Sequence, residues 1–339
     1  MKKLLFLLLP AVLLIQACSN DFEVTAPWKE IPAVYGILSP KDTAHYLRVE
    51  KAFLDPETNA LEIAQIADSL YYPENAIDVY LERVSTGQQI QLQRVDGNLE
   101  GYVRQGGIFA TQPNWLYKTK ETLQEGETYR FRMIRADGKP DVTAETTLPA
   151  TFNFQTPNPQ QIPARISFIR TSPTSVVWRT DVNGVYFRVD LQIRYREETP
   201  EGALIRRDTL YWTPAYNTER SETLVAGGQY KGEVKINGET FYNFLVENIP
   251  ATNDRFRYFD GIDITLTGGG KEIKEYQERA SANSGLTGAE IIPVYTNLSE
   301  GFGLFTGKNV AELTKIQVAP ETVNAMNQQS PAKDLNFRN

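Results

Sequence analysis

Apolar and polar side chains alternate with a period of two along most of the chain, the mark of strands that bury one face. In residues 42–54, Leu47, Val49 and Phe53 share one parity, while Tyr46, Arg48 and Glu50 take the other. Ile77, Val79 and Leu81 alternate with Asp78, Tyr80 and Glu82, and Tyr129, Phe131 and Met133 alternate with Arg130 and Arg132. Residues 142–148 repeat the pattern before Pro149. The clearest case is 185–196, where Phe187, Val189, Leu191, Ile193 and Tyr195 interleave with Arg188, Asp190, Gln192, Arg194 and Arg196. After a turn at Glu198-Thr199-Pro200-Glu201-Gly202, residues 204–212 are its expected hairpin partner, and 257–266 return to strand. Helical spacing appears in Ile63, Ile66, Ala67 and Leu70, and again in Phe241, Phe244 and Leu245. Each predicts one short helix, over 58–70 and 239–248.

Many strands punctuated by turns such as Asp96-Gly97 and Gly106-Gly107 predict a mainly β protein of two sandwich-like domains. A short strand ending in Trp178 and a longer one ending in Tyr195 resemble the opening of a fibronectin type III sandwich, a relative of the immunoglobulin fold. Prolines 149, 157, 159 and 163 cannot donate to a ladder, so the boundary is expected there. The expected organisation is a signal peptide at 1–17, a tether at 18–27, an N-terminal sandwich at 28–150 and a fibronectin III-like domain at 151–318. The polar segment 319–339 is expected to be a flexible tail.

The amino terminus carries the most specific signal. Lys2 and Lys3 precede an apolar stretch too short to span a bilayer as a helix, the order of a secretory signal. Leu14-Ile15-Gln16-Ala17-Cys18 resembles a lipobox, with an apolar residue at −3, a small one at −1 and cysteine at +1; Gln16 departs from the usual small residue at −2. Acylation of Cys18 would hold the mature chain on a membrane, since several acyl chains at about 0.8 kcal/mol per buried methylene anchor stably where one does not. Ser19 follows the cysteine in place of the aspartate that resembles an inner-membrane retention signal, and Asp21 and Glu23 resemble a surface-directing acidic tether. These features predict an outer-membrane location facing the cell exterior.

Composition then narrows the chemistry. Removing residues 1–17, and with them Lys2 and Lys3, takes the formal charge from −7 to −9, which argues against nucleic acid as a partner. Cys18 and His45 are the only cysteine and the only histidine. This leaves no disulfide, no Cys- or His-rich metal site and no spare thiol, so neither a metal nor a cofactor is expected. His45 lies on the buried parity of its strand and reads as a packed residue. Gly268-Gly269-Gly270-Lys271 lacks the Ser or Thr of a phosphate loop, because Glu272 stands there, and reads as a turn. Glu197, Glu198, Glu201, Asp260 and Asp263 could supply a carboxylate pair but read as solvated turns. Asp96-Gly97-Asn98 and Asp181-Val182-Asn183-Gly184 fit Asx turns better than calcium loops. Tyr211, Trp212 and Tyr216 are the candidate ligand-binding aromatics, since flat rings bury apolar area with little entropy loss; a glycan or peptide is the expected ligand.

Several stretches carry a family resemblance: 32–38 (PAVYGIL), 125–129 (EGETY), 143–149 (TAETTLP) and 292–305 (IPVYTNLSEGFGLF). Together they resemble a Bacteroidota family of outer-membrane lipoproteins of unassigned function, often encoded beside TonB-dependent receptors. The resemblance spans nearly the whole mature chain and supplies no catalytic residues. It implies a non-enzymatic accessory or ligand-binding subunit, partnered by an outer-membrane β-barrel protein and by the membrane itself. Two alternatives stay open: an adhesin or fimbria-associated subunit, and a carboxylate-dependent hydrolase. In the closing stretch, Gly301 and Gly303 read as a corner where a missing Cβ permits close backbone approach.

Overall fold

The computed structural model describes residues 29–54, 60–283 and 294–339. The expected signal segment, lipobox, lipidated Cys18 and tether lie outside the described residues. The chain is mainly β, built as sandwich-like layers with a few short helices.

The first part of the chain supplies β1 (Lys29–Leu38), β2 (His45–Leu54), β3 (Ile77–Arg83), β4 (Gln88–Gln91), β5 (Gln93–Asp96), β6 (Trp115–Thr119), β7 (Thr128–Arg135) and β8 (Val142–Thr147). Then come β9 (Asn153–Thr156), β10 (Arg165–Ile166), β11 (Thr174–Thr180), β12 (Tyr186–Glu198), β13 (Leu204–Glu219), β14 (Leu224–Val225) and β15 (Gln229–Ile236). β16 (Phe256–Gly269) and β17 (Phe302–Val318) complete the set. One sheet runs β13-β12-β16-β17-β1-β2-β6-β5, with β10 also on β17; β14-β15-β11-β9 and β4-β3-β7-β8 form two further sheets.

Each smaller sheet covers part of one face of the large one. Val34, Leu38, Leu47, Val49 and Phe305 share a buried cluster with Val79, Leu81, Phe131, Met133, Val142 and Ala144. In the other half, Phe187, Val189, Leu191, Ile193 and Tyr195 cluster with Trp178, Ile262, Ile264 and Leu266. The period-two reading of these strands is therefore the reading of which side chains enter a core, and each fully buried Leu, Ile or Phe contributes about 1.5–3 kcal/mol. Gly232, opposite Trp178 in the β11–β15 pair, leaves the space that the indole occupies.

The expected division at residue 150 is modified by β17. Its first part, Phe302–Gly307, pairs in parallel with Ala33–Leu38, and its later part pairs antiparallel with β16. The first sandwich thus takes a strand from residues 302–307, and Phe305 packs against Phe131 with ring centroids 5.9 Å apart. Gly303 (φ +139°) lies against Val34, where a Cβ would overlap the Val34 carbonyl oxygen; Gly301 (φ +92°) does the same at Pro32. Asn297 fastens this corner, since its Nδ2 donates to the Phe305 carbonyl (2.7 Å) and its Oδ1 accepts from the Phe305 N–H (3.0 Å).

Helix α1 (Ala60–Ile63) and α2 (Ala67–Leu70) are two short turns where one helix was expected over 58–70; Ile66 between them is extended and exposed. Helix α3 (Gly238–Asn248) matches its expected place, with the Asn237 side chain accepting from Glu239 N–H at its start. Helix α4 (Lys271–Asn283) begins directly after the glycines 268–270, so the expected turn is a strand-to-helix corner. Glu272 folds back there, buried, and accepts from Thr306 Oγ1 at 3.3 Å.

The expected flexible tail at 319–339 is corrected. Helix α5 (Pro320–Met326) and a 3₁₀ turn (Ala332–Leu335) bury Val323, Met326, Ala332, Leu335 and Phe337 in the second core. Phe337 stacks on Phe259 at 4.3 Å. Few apolar residues spread over two short turns give no visible period, which hides the packing in the sequence. A buried charge cluster ties this segment to the sheet. Glu197 and Arg257 are both buried; Arg257 Nε donates to Glu197 Oε1 (2.9 Å) and its Nη1 to the Leu335 carbonyl (2.9 Å). Arg206 and Arg255 also donate to the Glu197 carboxylate.

Burial by itself would raise the Glu197 pKa, but the hydrogen bonds from Arg206, Arg257 and Arg255 outweigh it and hold the carboxyl at about 2. A depressed carboxylate stabilises the fold fully above its ordinary value of 4.5, and this contribution is lost as pH falls toward 2. Glu197→Gln leaves Arg257 buried without its counter-charge. We expect a loss of about 3 kcal/mol at neutral pH, read from denaturant unfolding, and a shallower acid limb below pH 4.5 than in the parent protein.

Candidate functional site

One half of the large sheet's outer face is left open. On β1, Val34, Gly36 and Leu38 point into the first core, so Tyr35 and Ile37 point out and are 45% and 49% exposed. Register places Tyr35 opposite Leu304 on β17 and Arg48 on β2, and Tyr46 opposite Lys118 on β6. Leu304, Tyr35, Ile37, Arg48, Tyr46 and Lys118 therefore share one face. Helix α4 covers this face at Thr306 and Gly269, where Ile273 fills the space above the glycine.

The other wall is the segment 97–110. It is held by its own polar side chains. Asp96 Oδ1 accepts from Asn98 N (3.0 Å) and Asn114 N (3.1 Å), Asn98 Oδ1 accepts from Arg104 N (3.0 Å), and Asn114 Nδ2 donates to the Tyr102 carbonyl (2.7 Å). Arg104 donates to Glu50 (2.7 Å) and to the Tyr71 hydroxyl (2.8 Å), which fastens the segment to β2. The result is a fixed aromatic pair: Tyr102 lies 4.6 Å from Tyr46, centroid to centroid. Beneath it, the Tyr46 hydroxyl donates to Glu100 (3.0 Å) and Lys118 donates to the same carboxylate. The Lys118 hydrogen bond is the largest cause that lowers the Glu100 pKa; burial first, then Glu100, raises that of the Tyr46 phenol.

Two concavities meet at this pair, and a third adjoins them through Glu100. The first, about 380 Å³, is lined by Tyr35, Ile37, Asp42, His45, Arg48, Leu304 and Lys308; Tyr46 and Tyr102 form its rim. The second, about 530 Å³, shares Asp42, Tyr46, Tyr102 and Lys308 and adds Lys41 and Glu100. Glu100 in turn lines a third, about 550 Å³, whose walls carry Gln88, Gln89, Gln91, Gln93, Lys118 and Glu121. Each has the size of a small-ligand pocket, a range of about 300–1,000 Å³. The third lies where the chain crosses from β4 in one sheet to β5 in the other, with buried Leu92 as the pivot.

The aromatics singled out from the sequence do not belong to this groove. Trp212 faces inward, stacked on Phe244 at 5.1 Å and near Phe241 at 5.9 Å. Tyr211 and Tyr216 are exposed on the opposite face of β13, with the Arg188 guanidinium 5.5 Å from the Tyr216 ring. Glu197, Glu198, Asp260 and Asp263 are on strands rather than in solvated turns, and each is ion-paired with arginine. Both Asx turns form: Asp181 Oδ1 accepts from Asn183 N (3.2 Å) and Gly184 N (3.0 Å), as Asp96 does from Asn98. At the glycine corner, Glu272 sits where a phosphate would approach the start of α4. Among the described residues no three His, Cys, Asp or Glu side chains converge as metal ligands. Sequence reasoning missed Tyr35, Tyr102 and the glutamines. Two signals stood in the chain: aromatics on the outward parity of 35–37 and 46, and the unusual run Gln88-Gln89-Ile90-Gln91-Leu92-Gln93.

His45 lines the first concavity and is buried, which lowers its pKa below the ordinary 6.5. A histidine whose folded value is depressed stabilises the fold fully above 6.5 and loses that contribution as pH falls. As the chain has one histidine, stability is expected to decline below pH 6.5 by at most about 1.4 kcal/mol per pH unit from this source. His45→Gln removes that decline in chemical denaturation measured from pH 7 to 5.

Comparison with curated proteins gives no match. Residues 33–314 match the family described as a domain of unknown function, DUF4249, from the first paired strand through most of β17. Since the match covers most of the chain, the protein belongs to the DUF4249 family.

Proposed function

We propose that the protein is a lipoprotein of the outer membrane, anchored through Cys18 and facing outward, that serves as a non-enzymatic ligand-binding or accessory subunit beside a β-barrel partner. The observation that carries the binding part is the open outer face: Tyr35 and Ile37 stand exposed in a sheet whose opposite face is filled, beside a tyrosine pair locked by Glu100 and Asn114. Exposed apolar area rimmed by fixed polar groups is what a binding groove requires. The anchoring part rests on the lipobox and the basic, apolar leader. No helix among the described residues is long and apolar enough to cross a membrane. The partner rests on the resemblance to lipoproteins encoded beside TonB-dependent receptors.

A second reading, an adhesin or fimbria-associated subunit, is favoured by β13. This long strand ends the large sheet and exposes Leu204, Ile205, Tyr211 and Tyr216. An edge of that kind is a template for pairing with another chain, although Pro214 interrupts its donors.

Mass spectrometry of the membrane-extracted protein is expected to find an acylated Cys18 as the first residue, and Cys18→Ala to shift the protein out of the membrane fraction. Mild-detergent extraction followed by affinity capture is expected to recover a β-barrel protein at near-stoichiometric yield. An unacylated chain retaining residues 1–17 contradicts the anchoring; capture of the lipoprotein alone contradicts the partner. Ordered oligomers of lipid-free protein on a sizing column replace this reading with the edge-pairing one.

A further inference from the structure

The three joined concavities differ in lining, and the difference identifies the class of ligand. The end at Tyr35, Ile37 and Leu304 is the most apolar, the middle is the Tyr46–Tyr102 pair, and the far end carries primary amides among its lysines and glutamates. Gln88, Gln89 and Gln93 make no side-chain hydrogen bond among the described residues, so their amides are free to pair with a ligand. An amide both donates and accepts, which suits a hydroxyl group, itself donor and acceptor.

Most charges along the groove are paired. Lys118 pairs with Glu100, Lys41 with Glu125, and Arg48 with Glu50, which Arg104 shares, while Lys120 and Lys308 share the lining with Glu121 and Asp42. A polyanion finds few unpaired cations here, and a polycation few unpaired carboxylates. A purely apolar ligand would strip water from the glutamine wall without replacing its hydrogen bonds, which is unfavourable for each amide so buried. The remaining ligand is uncharged, has flat C–H faces for tyrosine and carries many hydroxyls.

We infer that the groove from Tyr35 past Tyr46–Tyr102 to Gln89 and Gln93 binds an uncharged oligosaccharide chain. Sugar rings lie against the tyrosines through their C–H faces, and their hydroxyls pair with the glutamine amides. This rests on the ligand-binding reading above and names the ligand class for that site. The tyrosine pair is fixed before binding, so little side-chain entropy is lost on association.

The test uses the full mature body without its lipid and measures binding calorimetrically with three sets of probes. These are neutral hexasaccharides (xylohexaose, cellohexaose, maltohexaose and mannohexaose), a heparin-derived hexasaccharide and a library of neutral hexapeptides. At least one neutral hexasaccharide is expected to bind. Tyr102→Ala is expected to weaken it about tenfold or more, and the double variant Gln89→Ala/Gln93→Ala about fivefold, with thermal unfolding unchanged in both. Tyr211→Ala, outside the groove, is expected to leave binding unaltered. Peptide binding that is lost in Tyr102→Ala, without sugar binding, overturns the ligand class and leaves the ligand-binding reading standing. Preference for the sulfated hexasaccharide over its neutral counterparts overturns the class as well. Sugar binding unaffected by Tyr102→Ala overturns the site, and absence of binding by every probe overturns both the inference and the ligand-binding role, while acylation of Cys18 is read separately.

Discussion

The parallel pairing of residues 33–38 with 302–307 is the contact through which the two sandwiches share one sheet. Without it β17 would serve only β16 and β10, the first core would lose Phe305, and the outer face would lose Leu304. A parallel neighbour needs a crossover, and here that crossover is nearly the whole body of the protein. The pairing tolerates no side chain at Gly303, because the Val34 carbonyl occupies that space. This gives a physical account of two segments that carry the family resemblance: 32–38 and the closing 292–305 run, of which residues 294 onward are described, meet as neighbouring strands.

The groove inherits its shape from the same arrangement. Inward residues of β1, β2 and β17 are spent on the first core, so their outward neighbours form a surface by parity alone. What makes this surface a groove is local: Asp96, Asn98 and Asn114 fold 97–110 into a wall, and α4 covers the sheet on the other side. Asp96, Asn98 and Asn114 act here through their hydrogen-bond geometry. Their work is to hold Tyr102 against Tyr46.

Strand content and core parity were legible because alternation is a local property: Phe187, Val189, Leu191, Ile193 and Tyr195 all lie in the core that their spacing predicted. The sandwich-like class followed from the same signal. What stayed hidden was non-local. Nothing near 302–307 says that its partner is 33–38, so the closing strand was assigned wholly to the second half. The segment 319–339 looked mobile because Val323, Met326, Leu335 and Phe337 are scattered among polar residues. Trp212 and Tyr211 were separable by parity, but which of them was buried depended on Phe241 and Phe244 from α3. The groove was the least legible feature, since Tyr35, Tyr102 and Gln89 come from three elements that only the fold brings together.

The central claim is that the shared strand makes one cooperative body of the two sandwiches. Native-state hydrogen exchange in rising denaturant tests it most directly, by following backbone amides of residues 33–38 and of 262–267 together. The account predicts that both segments lose protection at the same denaturant concentration and with the same opening free energy. Retained protection in 33–38 after 262–267 has opened, or the reverse, would contradict it.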